Sequence, residues 1–462
     1  MAKKKMTLEE KLEEAIVKGT SYEVPRNWIC TKLENIVEFE RGITFAASEK
    51  KNEKGELDIA CLRTANVQQR LEYDDLIYVD KKHMKSNNKK LVRDGDILMS
   101  TANSLELVGK CVLVPKLSEE MTFGGFVLNI RNRGLMNNKF IYYYLRSQFL
   151  LGNLQGIASQ TTNIANINAK NLGNYVITIP PLKEQKRIVD RIESLFEKLD
   201  KAKELIEEAR EDFESRKSVI LEKAFRGELT KEWRKDNKVK YDFNDALLGD
   251  IIEEGPQNGL YKPQSAYGEG NMIVRIDNFY NGKINPWNTL KKLKLTVDDI
   301  SKYSLENGDI IINRVNSIEY LGKSALVREL NETCVFESNI MRAKLNKNVN
   351  NEYVVYYLNS IRGLYELRKT AKHAVNQASI NQQDVKRAIV PLPSIEEQNE
   401  IVKILDKLLE EESKIEELTV LEDQIELIKK SILAKAFRGE LGTNCEDDES
   451  ALELLKEILS KE

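Results

Sequence analysis

The chain has 462 residues, of which 41% are hydrophobic and 31% charged, and its formal net charge is −3. That balance suits globular domains with long exposed helices and excludes a wholly disordered chain. No apolar run approaches the ~18–20 residues of a membrane-spanning helix, and the basic start Met1–Lys5 leads into an acidic amphipathic stretch rather than an apolar signal core, so the cytoplasm is the expected location.

The net charge hides a strong segregation. Glu396–Glu426 holds 12 acidic and 3 basic residues and Glu446–Glu462 holds 7 and 2, which leaves +11 for the rest of the chain. The globular parts can therefore turn a basic face to phosphates while the C-terminal helix and tail are acidic. Cys30, Cys61, Cys111, Cys334 and Cys445 are widely spaced and never in a C-x-x-C pair, and the histidines are only His83 and His373, so neither a disulfide framework nor a zinc site is indicated.

In chain order, residues 1–20 form a helical extension, with Leu8, Leu12, Ala15 and Ile16 along one face of Thr7–Val17. Residues 21–181 read as a mixed globule. Asp96–Ser100, Cys111–Val114 and Tyr175–Ile179 are its strands, and the aromatic stretch Lys139–Gln148 is a short helix. Residues 182–232 are a long helix whose apolar positions Ile188, Ile192, Leu195, Leu199, Ala202, Ile206, Ala209, Phe213 and Ile220 follow a coiled-coil seam. Pro180-Pro181 sit before it, and Gly227, after Ala224-Phe225-Arg226, suits the left-handed residue that ends it.

Residues 233–393 form a second globule, with Asp309–Asn313 as a strand and Glu352–Ser360 as a helix. Residues 394–445 are a second long helix with the stripe Ile401, Ile404, Leu408, Ile415, Leu418, Ile425, Ile428, Ile432 and a phase break around Leu418–Leu421 that locally overwinds it. Residues 446–462 are an acidic helical tail, with Leu452, Leu455 and Ile458 on one face of Ser450–Leu459. Each terminal helix suits either packing on the chain's own helices or docking to a partner.

The chain is built twice. Leu221–Thr230 recurs as Leu433–Gly442 at a shift of 212, and both contain Ala-Phe-Arg-Gly-Glu-Leu. Glu184-Gln185 recurs as Glu397-Gln398, Gly95-Asp96-Ile97 as Gly308-Asp309-Ile310, Asn103-Ser104 as Asn316-Ser317, and Tyr143-Tyr144-Leu145 as Tyr356-Tyr357-Leu358, all at 213. A period this long means duplicated domains rather than a solenoid. The fold class expected is α+β: two similar mixed globules separated by two long helices that pair as an intramolecular antiparallel coiled coil with pseudo-twofold symmetry. Neither helix can bury its seam alone, and joining both in one chain gives each a high effective concentration of the other.

No catalytic constellation is present. Gly322-Lys323-Ser324 lacks the first glycine of a phosphate loop, Ile179-Pro180-Pro181-Leu182 lacks the polar and aromatic residues of an adenine-methyltransferase tetrapeptide, and H-E-x-x-H and G-x-S-x-G do not occur. A non-enzyme is expected.

Pro181-Leu-Lys-Glu-Gln185 and Pro393-Ser-Ile-Glu-Glu-Gln398 at the helix starts, the twin Ala-Phe-Arg-Gly-Glu-Leu motifs at their ends, and Val24-Pro25-Arg26-Asn27-Trp28 closely resemble the specificity subunit of type I restriction-modification systems, over roughly residues 20–445. The resemblance implies two target-recognition domains, each reading half of a split site on double-stranded DNA, with the paired helices as a ruler. It implies as partners two adenine-N6 methyltransferase (modification) subunits and nuclease-translocase (restriction) subunits. S-adenosylmethionine, ATP and Mg²⁺ would belong to those partners, with no cofactor in this chain. A stand-alone DNA-binding regulator and a coiled-coil scaffold are the alternatives. The Gln185–Phe225 and Gln398–Phe437 intervals differ by one residue, and Lys231–Leu247 has no counterpart of Pro25–Trp28, so the two methyltransferase surfaces are expected to be unequal.

Base reading needs Arg, Lys, Asn, Gln, Ser or Thr on loops presented to a groove. Two stretches per globule fit. After the Gly-Asp-Ile strand come Thr101, Asn103 and Ser104 in the first and Arg314, Asn316 and Ser317 in the second; before each long helix come Gln160, Thr161, Thr162 and Asn163, and Lys372, His373, Asn376 and Gln377. Lys82, Lys89 and Lys90, in the basic run Lys81–Arg93, are candidates for phosphate contact. Arg63-x-x-Asn66 and Arg275-x-x-Asn278 recur in both halves and are assigned to structure, because readers of different half-sites should differ at their base contacts.

Overall fold

The computed structural model of the protein describes residues 6–19, 23–85, 88–161, 164–280, 282–374, 377–413 and 416–461. The chain folds as two compact units, one joining residues 1–205 to 420–462, the other residues 206–419. The sequence repeat, a globule and the helix after it, is thus not the folding unit. Each unit takes one globule, the start of the helix that follows it, and the end of the other helix.

In the first unit Val37–Arg41, Val127–Asn132, Ile97–Ser100 and Cys111–Leu113 form an antiparallel sheet in that order. The run Ile97-Leu98-Met99 is apolar throughout because this strand is buried on both faces. Ile97 and Met99 enter the core that holds Phe140, and Leu98 enters a second core around Phe123. A smaller sheet of Ile77–Asp80, Asp58–Leu62 and Met121–Phe123 covers that second core. The second unit repeats the plan with Ile252–Asn258, Ile340–Leu345, Ile310–Asn313 and Ser324–Leu326. There Ile310 and Ile312 face one core and Ile311 the other. Each such side chain contributes about 1.5–3 kcal/mol of burial.

The expected aromatic helices are Asn138–Leu150, capped by Asn137, and Asn351–Leu358, capped by Asn350. Their tyrosines bind the globule to the long helices. Phe437 stands edge-on to Phe140 and Tyr144, both at 5.3 Å, and Phe225 stands edge-on to Tyr353 at 5.3 Å and Tyr357 at 5.1 Å. The phenylalanine of each Ala-Phe-Arg motif is therefore a core anchor. Gly439 and Gly227 take φ of +76° and +68° beyond it, and a Cβ on them would strike Pro25 and Phe243 respectively. In the second unit Phe243 meets Gly227 where Pro25 meets Gly439, and Arg234 meets Glu397 where Trp28 meets Glu184.

The Glu-Gln pairs complete the latch. Gln185 accepts the backbone N–H of Asn137 at 3.0 Å and donates to the Pro180 carbonyl, while Gln398 accepts that of Asn350 at 2.9 Å and donates to Pro393. Buried Glu184 accepts from Trp28, Thr443 and Asn444, whereas buried Glu397 accepts from Thr230 and forms an ion pair with Arg234.

The first long helix runs unbroken from Leu182 to Phe225, 44 residues, or about 66 Å at 1.5 Å per residue. All nine expected seam positions are buried or half-buried. The second is described as Ile395–Ser413 and Glu416–Ala436. Its stripe departs from expectation: Leu408 is 37% and Ile428 45% exposed, and Leu405 and Leu433 take the inner face. Near the globules the inner positions pack into a domain core, not against a helix alone, and that shifts the face. Ile415, the Leu418 side chain and the expected phase break lie outside the described residues. Within the first unit Phe437 lies at the foot of the first helix, its carbonyl accepting from Thr178, while Lys429, eight residues earlier, pairs with Asp200 at 2.5 Å. The two segments therefore run in opposite directions there.

The terminal helices are Leu8–Ala15, with a Thr7–Glu10 capping box, and Ala451–Ser460, capped by Ser450. They pack on each other through Leu12, Ala15, Ile16, Leu455 and Leu459, and Ala451 and Ile458 join the first core. These apolar contacts lie between the two terminal helices and with the first core.

Candidate nucleic-acid interface

Each globule carries a small three-stranded ribbon at the end of its main sheet. In the first, Ala102–Asn103 pairs with Ala165–Asn166, which pairs with Ser159–Gln160. In the second, Val315–Asn316 pairs with Gln377–Ser379, which pairs with Lys372–Ala374. The two stretches chosen from sequence, some sixty residues apart in each globule, thus meet on one ribbon. The ribbon grows out of the buried Ile97–Ser100 or Ile310–Asn313 strand, so a rigid core positions an exposed tip.

Gln160, Thr161, Lys372, His373 and Gln377 are exposed on these ribbons. Thr161 closes its hairpin, with both its N–H and its hydroxyl donating to the Ile164 carbonyl. Ser104 and Ser317 begin matching turns, their N–H groups held by the side chains of Asn103 and Asn316 at 2.9 and 2.8 Å. These asparagines lie on the ribbon, yet their carbonyl oxygens are engaged in the turn. Arg314 sits half-buried at the ribbon's foot and donates to the Ser338 carbonyl at 3.0 Å, with a buried Nε that has no hydrogen-bond partner among the described residues.

Some expectations change. Thr101 is only 8% exposed and its hydroxyl donates to the Phe126 carbonyl, so it is a connector between sheet and ribbon rather than a reader. Thr101 lies between the Ile97–Ser100 strand and the Ala102–Asn103 strand of the ribbon. Lys82, Lys89 and Lys90 are not on the ribbon. Lys82 lies 3.8 Å from Glu49 and 3.6 Å from Asp80, Lys89 lies 3.9 Å from Glu38, and Lys90 pairs with Glu40 and donates to the Arg41 carbonyl. Of these acids only Asp80 is a near neighbour in sequence; Glu38, Glu40 and Glu49 come from earlier elements, which a count of local charge does not see. Thr162, Asn163 and Asn376 lie outside the described residues.

The recurring Arg-x-x-Asn pairs are structural, since Asn66 and Asn278 accept the N–H of Arg63 and Arg275 at 2.8 and 2.9 Å and close their own turns. The second Gly-Lys repeat is a turn as expected. Lys323 lies 3.8 Å from the Tyr280 ring centre and 5.0 Å from that of Tyr320, and burial lowers its pKa. Cys61, Cys111 and Cys334 are buried and free, their thiols pushed up to about 12 by burial. Among the described residues no cluster of three or more His, Cys, Asp or Glu is placed to hold a metal, and no helix is long and apolar enough to cross a membrane.

The model of the type I restriction modification DNA specificity domain matches residues 25–211 and again 242–426. The chain is 28% identical over 422 residues, 90% of each chain, to the EcoKI specificity subunit of Escherichia coli K12, and equally to the StySPI specificity subunit of Salmonella potsdam. A structure described under complex assembly and conformational transition of the type I R-M system matches 91% of this chain and all of its own, with a TM-score of 0.66 at 20% identity. The HsdS subunit of Thermoanaerobacter tengcongensis covers 92% of the chain with a TM-score of 0.50 at 19% identity. Both likenesses concern the fold.

Proposed function

This chain belongs to the type I restriction modification DNA specificity family, and from that premise we propose how it works. It is a non-catalytic specificity subunit with two target-recognition domains. Each domain reads one half of a bipartite site on double-stranded DNA through its three-stranded ribbon. The observation that carries this is the pair of ribbons, alike in backbone and different in side chains. At matching places the first presents Ser159, Gln160 and Thr161 and the second Lys372, His373 and Ala374. Equal frames with unequal side chains are what two readers of unequal half-sites require.

The two long helices pair antiparallel and hold the readers at a fixed spacing. Support comes from each unit separately: the start of the first helix shares a core with the end of the second, and the end of the first with the start of the second. Half-sites read by rigidly spaced modules follow the helical turn of ~34–36 Å. The pseudo-twofold repeat offers two similar docking surfaces to two methyltransferase subunits, with restriction subunits joining them. S-adenosylmethionine, ATP and Mg²⁺ act in those partners, in the cytoplasm. A stand-alone regulator or scaffold is not favoured by the family match over both repeats.

The test is methylation mapping in cells that express the chain with its methyltransferase. Replacing residues 25–180 with the corresponding segment of a relative should change one half of the methylated motif and leave the other. A swap that alters both halves, or a methyltransferase that fails to co-purify with the chain, refutes the reading.

A further inference from the structure

We infer that the first ribbon reads its half-site in part by apolar contact with the 5-methyl group of thymine, through Phe126 and Ile164. The second ribbon presents carboxamides, Asn339 and Gln377, from the same two places. This rests on the ribbons being the readers and names what one of them recognises.

The placement is fixed by the ladders. Ser100 pairs with Val127, and one residue on, the N–H and hydroxyl of Thr101 both donate to the Phe126 carbonyl at 2.9 Å. The next two residues, Ala102 and Asn103, pair with Asn166 and Ala165, and Ile164 adjoins that pair at the hairpin end. Phe126 thus marks the foot of the ribbon and Ile164 its tip. In the second unit Asn313 pairs with Ile340, the Arg314 N–H donates to the Asn339 carbonyl at 2.9 Å, and Gln377 pairs with Ala374 beside Ala378. Every one of these positions is shifted by 213.

Phe126 is 66% and Ile164 54% exposed, and neither is part of any apolar core among the described residues. They flank a ribbon whose other outward residues, Ser159, Gln160 and Thr161, are hydrogen-bonding groups. The major groove offers one apolar mark, the thymine methyl, among its donors and acceptors, and apolar side chains beside polar ones suit that pattern. The carboxamides of the second ribbon cannot make that contact favourably but can pair with base edges.

The test compares the wild-type chain with F126N, I164Q and the double variant Q160A/T161A, each expressed with the methyltransferase. F126N and I164Q should relax the base preference at A·T positions in one half of the mapped motif and leave the other half intact. Duplexes carrying that motif with uracil for single thymines should bind the wild-type complex about fourfold more weakly at a contacted position, the worth of one methyl group. The I164Q complex should lose that difference at its position. A wild-type complex indifferent to uracil throughout that half overturns the thymine assignment and needs no variant to fold. An unchanged motif in F126N and I164Q while Q160A/T161A shifts it overturns the apolar contact and leaves the ribbon as reader. An unchanged motif in all three overturns both.

Discussion

The indole N–H of Trp28 donates to the carboxylate of Glu184 across 2.8 Å, with both side chains buried. The matching carboxylate in the other unit, Glu397, faces the guanidinium of Arg234 instead. Two copies of one motif thus anchor their globules with different partners, one neutral and one charged.

That difference predicts unequal costs. Glu397→Gln removes the counter-charge of the buried Arg234 guanidinium, which keeps the Thr230 hydroxyl and the Gly227 carbonyl, and should destabilise the second unit by about 3 kcal/mol. Glu184→Gln keeps an acceptor for neutral donors and should cost the first unit about 1–2 kcal/mol. Hydrogen exchange resolved by segment separates the two units; equal loss of protection in both variants would contradict the assignment.

Phe225 and Phe437 each fill a site between two aromatic rings of a globule. Truncation to alanine should cost about 3–5 kcal/mol. Because each phenylalanine is anchored in the unit that its own helix reaches last, Phe437→Ala should expose the amides of 138–150 and Phe225→Ala those of 351–358. Proteolysis followed by fragment mapping would show which globule loosens, and the opposite pattern would contradict the domain assignment.

Asp96 and Asp309 occupy the same repeated Gly-Asp-Ile position with different surroundings. Asp96 accepts from Asn129 and Arg131, whereas Asp309 lies 3.9 Å from Arg342, has one buried oxygen without a hydrogen-bond partner among the described residues, and has its pKa raised by burial. A carboxylate whose folded pKa exceeds its unfolded value costs stability at neutral pH, and the cost vanishes as pH falls through the folded value. Asp309→Asn should therefore be at least as stable as wild type at pH 7, and any gain should shrink as pH falls through the raised value toward 3.8. Asp96→Asn should lose about 1–3 kcal/mol at pH 7, because Arg131 loses its carboxylate partner and keeps the Leu91 carbonyl. Unfolding midpoints measured against pH would show both signs.

Lys372 is the cation of the second ribbon, and Ser159 holds its place in the first. If Lys372 meets a phosphate, Lys372→Ala should lower affinity similarly across sequences and reduce the slope of log K against log salt by about 1. Ser159→Ala should leave the slope unchanged. Binding titrations of the complex at several salt concentrations would check both, and an unchanged slope for Lys372→Ala would remove that contact.

The sequence by itself determined the duplication, the strand around Asp96–Ser100, the aromatic helices, the seam of the first long helix and the two loop stretches per globule. These rest on local chemistry: apolar period, glycine and asparagine at turns, and repeats at a constant shift. Tertiary structure decided the rest, because it depends on which distant groups meet. It joined the start of one helix to the end of the other in a single unit, brought Asn103 beside Ala165 on one ribbon, and withdrew Thr101 into the connection. It also brought Glu49, Glu38 and Glu40 from distant sequence beside Lys82, Lys89 and Lys90, and left Phe126 and Ile164 exposed where their residue types would suggest burial. Pairing across a sheet and burial of a charge are long-range events, and a one-dimensional pattern carries the elements that enter them but not the partners they find.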